Sequence, residues 1–399
     1  MPQKNISFKE FTALMATLMS IVALSIDTIL PALGQIGQYY AIQNQNHTQW
    51  IIVGIFAGMT IGESVAGPLS DAIGRKPILF FGIAIYLLGT ALCYFASSFE
   101  YFLIGRFIKG LGVAGPHIAA IAIVRDNYSG NEMARIVSLV MMIFMAVPAI
   151  APSIGQVIIH FFGWKEIFIL YACYALLIVY WVSFRLEESL APQNRVAMKW
   201  AAFTGGFGQV VRNKTTMSYL LCAGFIFGGF ISYLGASQQI FMQQFGKSGI
   251  EFSAYFAIFA VIIAIASFLN SHFVEKIGMR KICLLNVCWL SGISIIFFIV
   301  QQFMAAEFWM FMLYMGSAFL CFGMIFGNLN AIALEPMGHI TGMATAIINT
   351  VSSLLALTLA WLIGQSYDGS LLPMTTGFMI LSTLALLLMR FEQRAQAQG

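Results

Sequence analysis

Four ionisable side chains interrupt the long apolar runs of the first half of this chain: Asp27, Glu63, Arg106 and Lys109. A charge held at mid-bilayer costs at least about 2.5–3.5 kcal/mol, so each is a candidate for function. Asp27 and Arg106 both fall a turn or two below the outer ends of their apolar runs and are predicted to pair. Burial favours the neutral carboxylic acid, and a neighbouring cation favours the carboxylate. A carboxyl balanced between the two can take up and release a proton. Asp27 therefore reads as a proton-coupling site with Arg106 as its partner. The bland alternative is a static ion pair joining two helices. Glu63 reads as a second protonation site or a contact for a cationic substrate, against a carboxyl that only reaches water or Arg75. Lys109, one turn past Arg106, reads as facing the same cavity and attracting an anionic substrate, against a lysine that snorkels outward.

A second group lies between apolar runs. The stretch Gly67-Pro-Leu-Ser-Asp71-Ala-Ile-Gly74-Arg75-Lys76-Pro77 combines turn-forming glycines, an acid and two bases. Asp71 can accept hydrogen bonds at a helix N-terminus. Gly67, Asp71, Gly74, Arg75 and Lys76 are read as a gating latch. A purely topogenic basic cluster would explain Arg75 and Lys76 but not the acid and glycine spacing. Gly54, Gly58 and Gly62 recur every four residues, a spacing that lets helices approach closely. Pro148, Pro152 and Gly155 fall in one apolar run and predict a bend, a candidate gating point.

The elements that position these residues follow from composition. The chain of 399 residues is 60% hydrophobic and only 9% charged, with a formal net charge of +4. A soluble domain carries about 25% charged residues. The shortfall predicts a surface that faces lipid. Apolar runs long enough to span a bilayer fall at 11–32, 49–69, 77–97, 101–123, 134–160, 164–185, 216–240, 251–273, 281–301, 306–333, 340–364 and 371–390. The first run carries Asp27 and has no small-residue cleavage site after it, so it reads as a membrane helix rather than a cleaved signal. Lys4 and Lys9, Arg75 and Lys76, Arg125 and Arg135, Arg185 to Lys214, Lys276 to Lys281, and Arg390 and Arg394 fall at the termini and in every second loop, on one side of the membrane, while the other loops hold only Lys165 and Lys247. The basic bias places both termini in the cytoplasm. The six cysteines and five histidines show no CxxC pair and no HExxH, so neither a disulfide framework nor a metal site is expected.

The chain also repeats. Asp71 and Gly74 recur as Glu275 and Gly278 at one offset of 204 residues, and both pairs are followed by basic residues. Parallel repeats of six spans build one large transporter class. The reading is an all-α membrane protein of two six-helix bundles, 1–186 and 215–399, joined by a cytoplasmic linker at 187–214.

These residues resemble known motifs. Gly67 to Lys76 looks like motif A of the major facilitator superfamily, Arg106-Phe-Ile-Lys109-Gly110 like motif B, and Pro148 to Gly155 like the antiporter motif C. Asp27-Thr-Ile-Leu-Pro31, Val124-Arg125-Asp126-Asn127-Tyr128, and Ala333-Leu334-Glu335-Pro336 with Gly342 to Ala346 are similar to the bicyclomycin and chloramphenicol resistance (Bcr/CflA) subfamily. The resemblance implies export of small drugs or metabolites in exchange for protons. It implies that Asp27 and Arg106 couple the proton, and that Asp71 and Arg75 form the latch. Four positions depart from the pattern: Glu63 and Lys109 stand where glutamine is usual, Gln156 where a second glycine is, and Ile121 where an arginine is.

A substrate cavity near mid-membrane is expected between the halves. Its candidate lining is Lys109, Met142 and Met145 in the first half, and Tyr233, Gln238, Gln239, Asn328, Asn330 and Asn349 in the second. Methionine and aromatic surfaces suit varied apolar ligands. The expected partners are a small-molecule substrate, protons and the lipid bilayer. The chain reads as a monomer in the bacterial inner membrane, with no cofactor beyond the proton gradient and no nucleic acid. Two functions stay open: a proton-driven drug or metabolite exporter, and a dedicated transporter of one polar solute such as a siderophore, nucleoside or amino acid. The extra charges Glu63 and Lys109 favour the second. A membrane enzyme has no catalytic triad or phosphate loop to support it.

Overall fold

The computed structural model describes residues 6–195 and 200–398, and Lys4 and Lys199 lie outside them. It is all helical among those residues. The helices are α1 (Phe8–Asp27), α2 (Leu33–Tyr39), α3 (Trp50–Ile73), α4 (Arg75–Phe95), α5 (Phe99–Asn127), α6 (Gly130–Phe161) and α7 (Ile167–Arg185), then α8 (Trp200–Arg212), α9 (Lys214–Gln238), α10 (Gly249–Ile277), α11 (Met279–Phe303), α12 (Phe308–Leu334), α13 (Thr341–Gln365) and α14 (Leu372–Gln398). Twelve spans among the described residues are long and apolar enough to cross a membrane. They coincide with the twelve apolar runs of the sequence; only the short α2 and α8 are not spans of their own. The chain divides into two compact units, residues 1–199 and 200–399.

The segment expected to be an open linker carries structure. After a short turn at Pro192–Asn194, α8 forms and packs on α9 and α13 of the second unit.

Backbone geometry repeats at the 204-residue offset. Gly74 ends α3 with φ of 113°, and Gly278 ends α10 with φ of 87°. L residues with side chains avoid that region, so glycine is required at both turns. Each turn amide closes its helix, Gly74 onto Ser70 and Gly278 onto Val274.

In the first unit, helix contacts are set by glycine. A Cβ at Gly58 or Gly110 would collide with the backbone of the facing helix, and one at Gly62 would lie 2.7 Å from both Leu111 O and the Ala114 Cβ. The four-residue glycine stripe of α3 therefore packs directly on α5. Gly82, Gly89 and Gly112 do the same for α4 against α5. α6 stays helical through Pro148 and Pro152, and a Cβ at Gly155 would strike the carbonyl oxygen of Thr28.

The second unit keeps such a contact at Gly323, where a Cβ would lie 2.6 Å from the Ile263 carbonyl oxygen, and adds rings. Phe230, Phe319, Phe322 and Phe326 pack stacked, tilted or edge-on with centroids 5.5–5.8 Å apart. Such pairs add about 0.5–1.5 kcal/mol each beyond the area they bury.

Candidate functional site

Asp27 is the last residue of α1 and is 6% exposed. Among the described residues, no hydrogen bond or ion pair is formed by its carboxyl. Arg106 is fully buried. Its Nη1 donates to the Ser25 carbonyl at 3.0 Å and its Nε to the Ile51 carbonyl at 3.1 Å, while Nη2 is left without a partner. The expected Asp27–Arg106 ion pair is thus not made in this structure. The physical reason is helix termination. The last carbonyls of α1 lack intrahelical donors and carry the negative end of its dipole. Arg106 caps that end at Ser25, two residues from Asp27. Spacing in the sequence reveals matching depth but not which acceptor a cation finds there.

Lys109 is also fully buried, and it does not open onto a cavity. Its Nζ lies 3.1 Å from the ring centroid of Tyr171, 4.9 Å from that of Tyr86 and 5.4 Å from that of Phe168. No hydrogen-bond acceptor meets it. Both sequence readings, a substrate contact and an outward snorkel, are corrected: the ammonium is boxed by aromatic faces of α4 and α7. α4 packs directly on the backbone of this lysine, where a Cβ at Gly89 would collide with the Lys109 amide nitrogen. Cation–π attraction in a desolvated site reaches about 2 kcal/mol, which offsets part of the burial cost.

Glu63 has a partner that the sequence reading missed. Its Oε1 lies 2.7 Å from Nδ1 of His117, with 20% and 18% of the two side chains exposed. The glycine seam explains the meeting: Gly62 draws α3 onto Leu111 and Ala114, so the next residue of α3 reaches His117 one turn on. Glu63 does not meet Arg75, which is fully engaged elsewhere.

The latch is the most saturated group. Nη1 of Arg75 donates to Asp71 at 2.5 Å and to Ser70 at 3.1 Å, and its Nε to Asp126 at 2.8 Å. The Glu188 carboxylate accepts the backbone amides of Arg75 at 2.9 Å and Lys76 at 3.0 Å, capping the start of α4. Lys76 Nζ donates to the Leu186 carbonyl at 2.7 Å, and Ser189 to Asp126 at 3.0 Å. Asp71, Gly74, Arg75 and Lys76 are brought together as expected; Gly67 faces open space and joins no contact. Asp126, Glu188 and Ser189 were not singled out as latch residues. The signal for Asp126 was its place beside Arg125 at the end of a span.

The proposed cavity residues are scattered within their units. Met142 is exposed and Met145 half-buried on α6. The neighbouring face of α6 lines an apolar groove of about 350 Å³ against α1, through Ile143, Val147 and Ile150 opposite Thr17 and Ser20. Tyr233 does not line open space: it is fully buried among the rings of Phe256, Phe259 and Phe319. Gln238 and Gln239 are buried where α9 passes into a wider turn at Gln239–Gln244. Asn328 bonds Asn270 at 2.7 Å, Asn330 is exposed, and Asn349 is half-buried. No three metal-ligating side chains cluster among the described residues.

Two six-span units with matching glycine turns carry a charged cluster in the loop between α3 and α4. The family model of the Major Facilitator Superfamily matches residues 14–360, and the chain belongs to that superfamily. A bicyclomycin resistance protein homolog of Haemophilus influenzae is 29% identical over 82% of this chain and 81% of its own. The multidrug resistance protein MdtL of Shewanella oneidensis is 26% identical over 90% and 91%. Among solved structures, a D-xylose-proton symporter overlays with a TM-score of 0.75 at 16% identity, covering 96% of this chain and 97% of that one. That likeness speaks for the fold alone.

Proposed function

We propose that the chain is a proton-coupled exporter of small drugs or metabolites, working by alternating access as a monomer in the bacterial inner membrane with both termini cytoplasmic. The observation that carries this is Asp27: a buried carboxyl at a helix end that, among the described residues, forms no ion pair or hydrogen bond. Such a group can change protonation without breaking a bond network. The resemblance to proteins named for bicyclomycin and multidrug resistance supports drugs as the cargo. A proton entering the cell supplies about 2.3 kcal/mol per 100 mV and about 1.4 kcal/mol per pH unit. Asp27 takes the proton from outside and gives it up inside. Arg106 holds the α1 end that carries it, and the Arg75 network latches the loop between α3 and α4. The segments 1–186 and 215–399 act as the two moving bundles and 187–214 as their tether.

The second reading, a dedicated carrier of one polar solute, loses one of its supports. Lys109 is enclosed by rings and cannot meet an anion from solution. A resistance panel in an efflux-deficient host tests cargo: protection against several drugs supports export of varied compounds, and none supports the single-solute carrier. Everted vesicles then test coupling, and uphill transport surviving Asp27→Asn would overturn the assignment.

A further inference from the structure

The exposed faces of α11 and α14 form an apolar wall that ends in bases. α11 exposes Leu285, Trp289, Ile296, Ile299 and Phe303, which stand three, four or seven residues apart and so share one face. α14 exposes Ile380, Leu384, Leu387 and Phe391 at the same spacing. The two helices are tied along their length. Gln301 donates to Thr375 at 2.9 Å, Ser291 bonds Thr383 at 2.9 Å, and Arg280 donates to Glu392 at 2.8 Å. From Lys281 to Phe303 is about 33 Å at 1.5 Å per residue, close to the thickness of a hydrocarbon core. An uncharged apolar face of that length meets acyl chains, not water.

Both stripes run into bases at the same end. Lys281 stands four residues before Leu285 on the face of the α11 stripe, and Arg394 three after Phe391 on that of the α14 stripe, with Arg390 at its edge. All three are exposed, and none forms an ion pair among the described residues. The Arg280–Glu392 bridge joins the two helix ends that carry them. The acids nearby are engaged: Glu335 and Glu392 both bind Arg280. Those three groups sum to one negative charge, and Glu275 and Lys276 in the preceding turn cancel. The three free bases therefore leave this corner net positive. It is not a product of the repeat, because the equivalent positions at the 204-residue offset are Pro77, Leu186 and Leu190.

We propose that Lys281, Arg390 and Arg394 bind the headgroup of an anionic phospholipid whose acyl chains lie along the α11–α14 wall. Bases at a membrane surface draw anionic lipid by about fivefold each. A lipid fits better than a soluble phosphate because the bases terminate apolar stripes, so headgroup and chains are met together. Placing the site in the inner leaflet rests on the cytoplasmic termini proposed above; the preference for anionic lipid does not.

Trp289 supplies the test, being 58% exposed on the wall and about 12 Å from Lys281 along α11. The full-length protein is placed in phosphatidylcholine nanodiscs that contain a fixed fraction of brominated phosphatidylglycerol or brominated phosphatidylcholine, and quenching of fluorescence by bromine is read. The chain has seven tryptophans, so the difference from Trp289→Phe isolates this one. Phosphatidylglycerol should associate about fivefold more strongly than phosphatidylcholine. The preference should fall to about one in the triple variant Lys281→Gln, Arg390→Gln, Arg394→Gln. It should persist when the three are exchanged as Lys281→Arg, Arg390→Lys and Arg394→Lys, which separates lost charge from a damaged fold. Equal quenching by the two lipids in the wild type overturns the proposal, and so does a preference that survives the triple glutamine variant. Quenching by neither lipid would mean that protein, such as a second copy of this chain, covers the wall, and also overturns it. Relief of phosphatidylglycerol quenching by free glycerol phosphate would make this a site for soluble phosphate esters instead. A failure of drug export leaves the lipid preference standing, so the two claims fall independently.

Discussion

Positions 63 and 267 are equivalent under the 204-residue offset, and both reach across the seam between the second and fourth spans of their units. Glu63 reaches His117, while Ser267 donates to the Gly323 carbonyl at 3.1 Å. The same seam thus carries a titratable pair in one unit and a neutral tie in the other. The packing around it differs in the same way. Gly54, Gly58 and Gly62 become Ile258, Ile262 and Ala266, and the close approach comes instead from the facing helix, where a Cβ at Gly323 would lie 2.6 Å from the Ile263 carbonyl oxygen. Asp27, Arg106 and Lys109 become Ile231, Met310 and Leu313. Close glycine packing and buried charge belong together: a backbone at contact distance offers carbonyls, such as those of Ser25 and Ile51, to a cation that lacks a carboxylate. In the second unit the carbonyl offered across the seam, that of Gly323, meets a neutral hydroxyl instead.

The contrast breaks first if charge in unit one is dispensable. Asp27→Asn should remove the dependence of drug accumulation on an imposed pH gradient. Each coupled proton sustains about a tenfold ratio per pH unit, so that share should vanish in proteoliposomes. Substitution of Ile231 by valine, at the equivalent position, should leave it intact. A gradient response that survives Asp27→Asn would place coupling elsewhere.

The latches give the next largest effect. Arg75 is 4% exposed and held by Asp71 and Asp126; Arg280 is 31% exposed and held by Glu335 at 3.0 Å and Glu392 at 2.8 Å. Arg75→Gln leaves Asp126 poorly compensated and should cost about 3–5 kcal/mol of stability. Arg280→Gln strands the Glu392 carboxylate, whose side chain is 1% exposed, and should cost a comparable amount although Arg280 itself is more exposed. Thermal unfolding of the purified variants checks both, and a loss below about 1 kcal/mol in either would show that its carboxylate is held by other groups.

That comparison also marks how far the sequence could be read. The twelve spans, the 204-residue repeat and the charged turn at Gly74–Lys76 were legible, because hydropathy and paired turns are local signals. Glu188 and Glu392 fall at the same 204-residue offset and were passed over, because a single aligned acid carries no turn signal of its own. Glu188 lies just beyond α7 and Glu392 within α14, and each grips the start of its unit's third span; one caps backbone amides and the other binds a guanidinium. The Asp27–Arg106 pair was misjudged for a related reason. Depth follows from counting residues, but the choice between a carboxylate and a helix-end carbonyl depends on side-chain direction. Glu63 was flagged because charge in a span is conspicuous. His117 was passed over because a lone histidine carries no spacing signal.

A smaller effect tests the seam itself. Gly58→Ala inserts a methyl group into the α5 backbone and should destabilise by about 1–3 kcal/mol. Gly67→Ala, on the same helix with nothing near it, should be neutral or stabilise by up to about 1 kcal/mol through lower unfolded-state entropy. If both alanines behave alike, the glycine stripe is not what joins α3 to α5.

The smallest expected change is at Lys109. Its ammonium meets three rings and no oxygen, so the ring attraction works against the cost of burying a charge. Methionine matches its length, keeps favourable contact with aromatic rings and removes the charge. Replacing a buried charged group by an apolar one of similar volume is often neutral or stabilising. Lys109→Met should therefore leave thermal stability unchanged or slightly raised, and leave the drug panel intact. A marked loss of stability would mean that the ring box holds the ammonium more strongly than its burial opposes it. Intact stability with lost export would instead mean that the lysine leaves its box during the transport cycle, and the buried charges of unit one would then take part in more than the proton exchange proposed for Asp27.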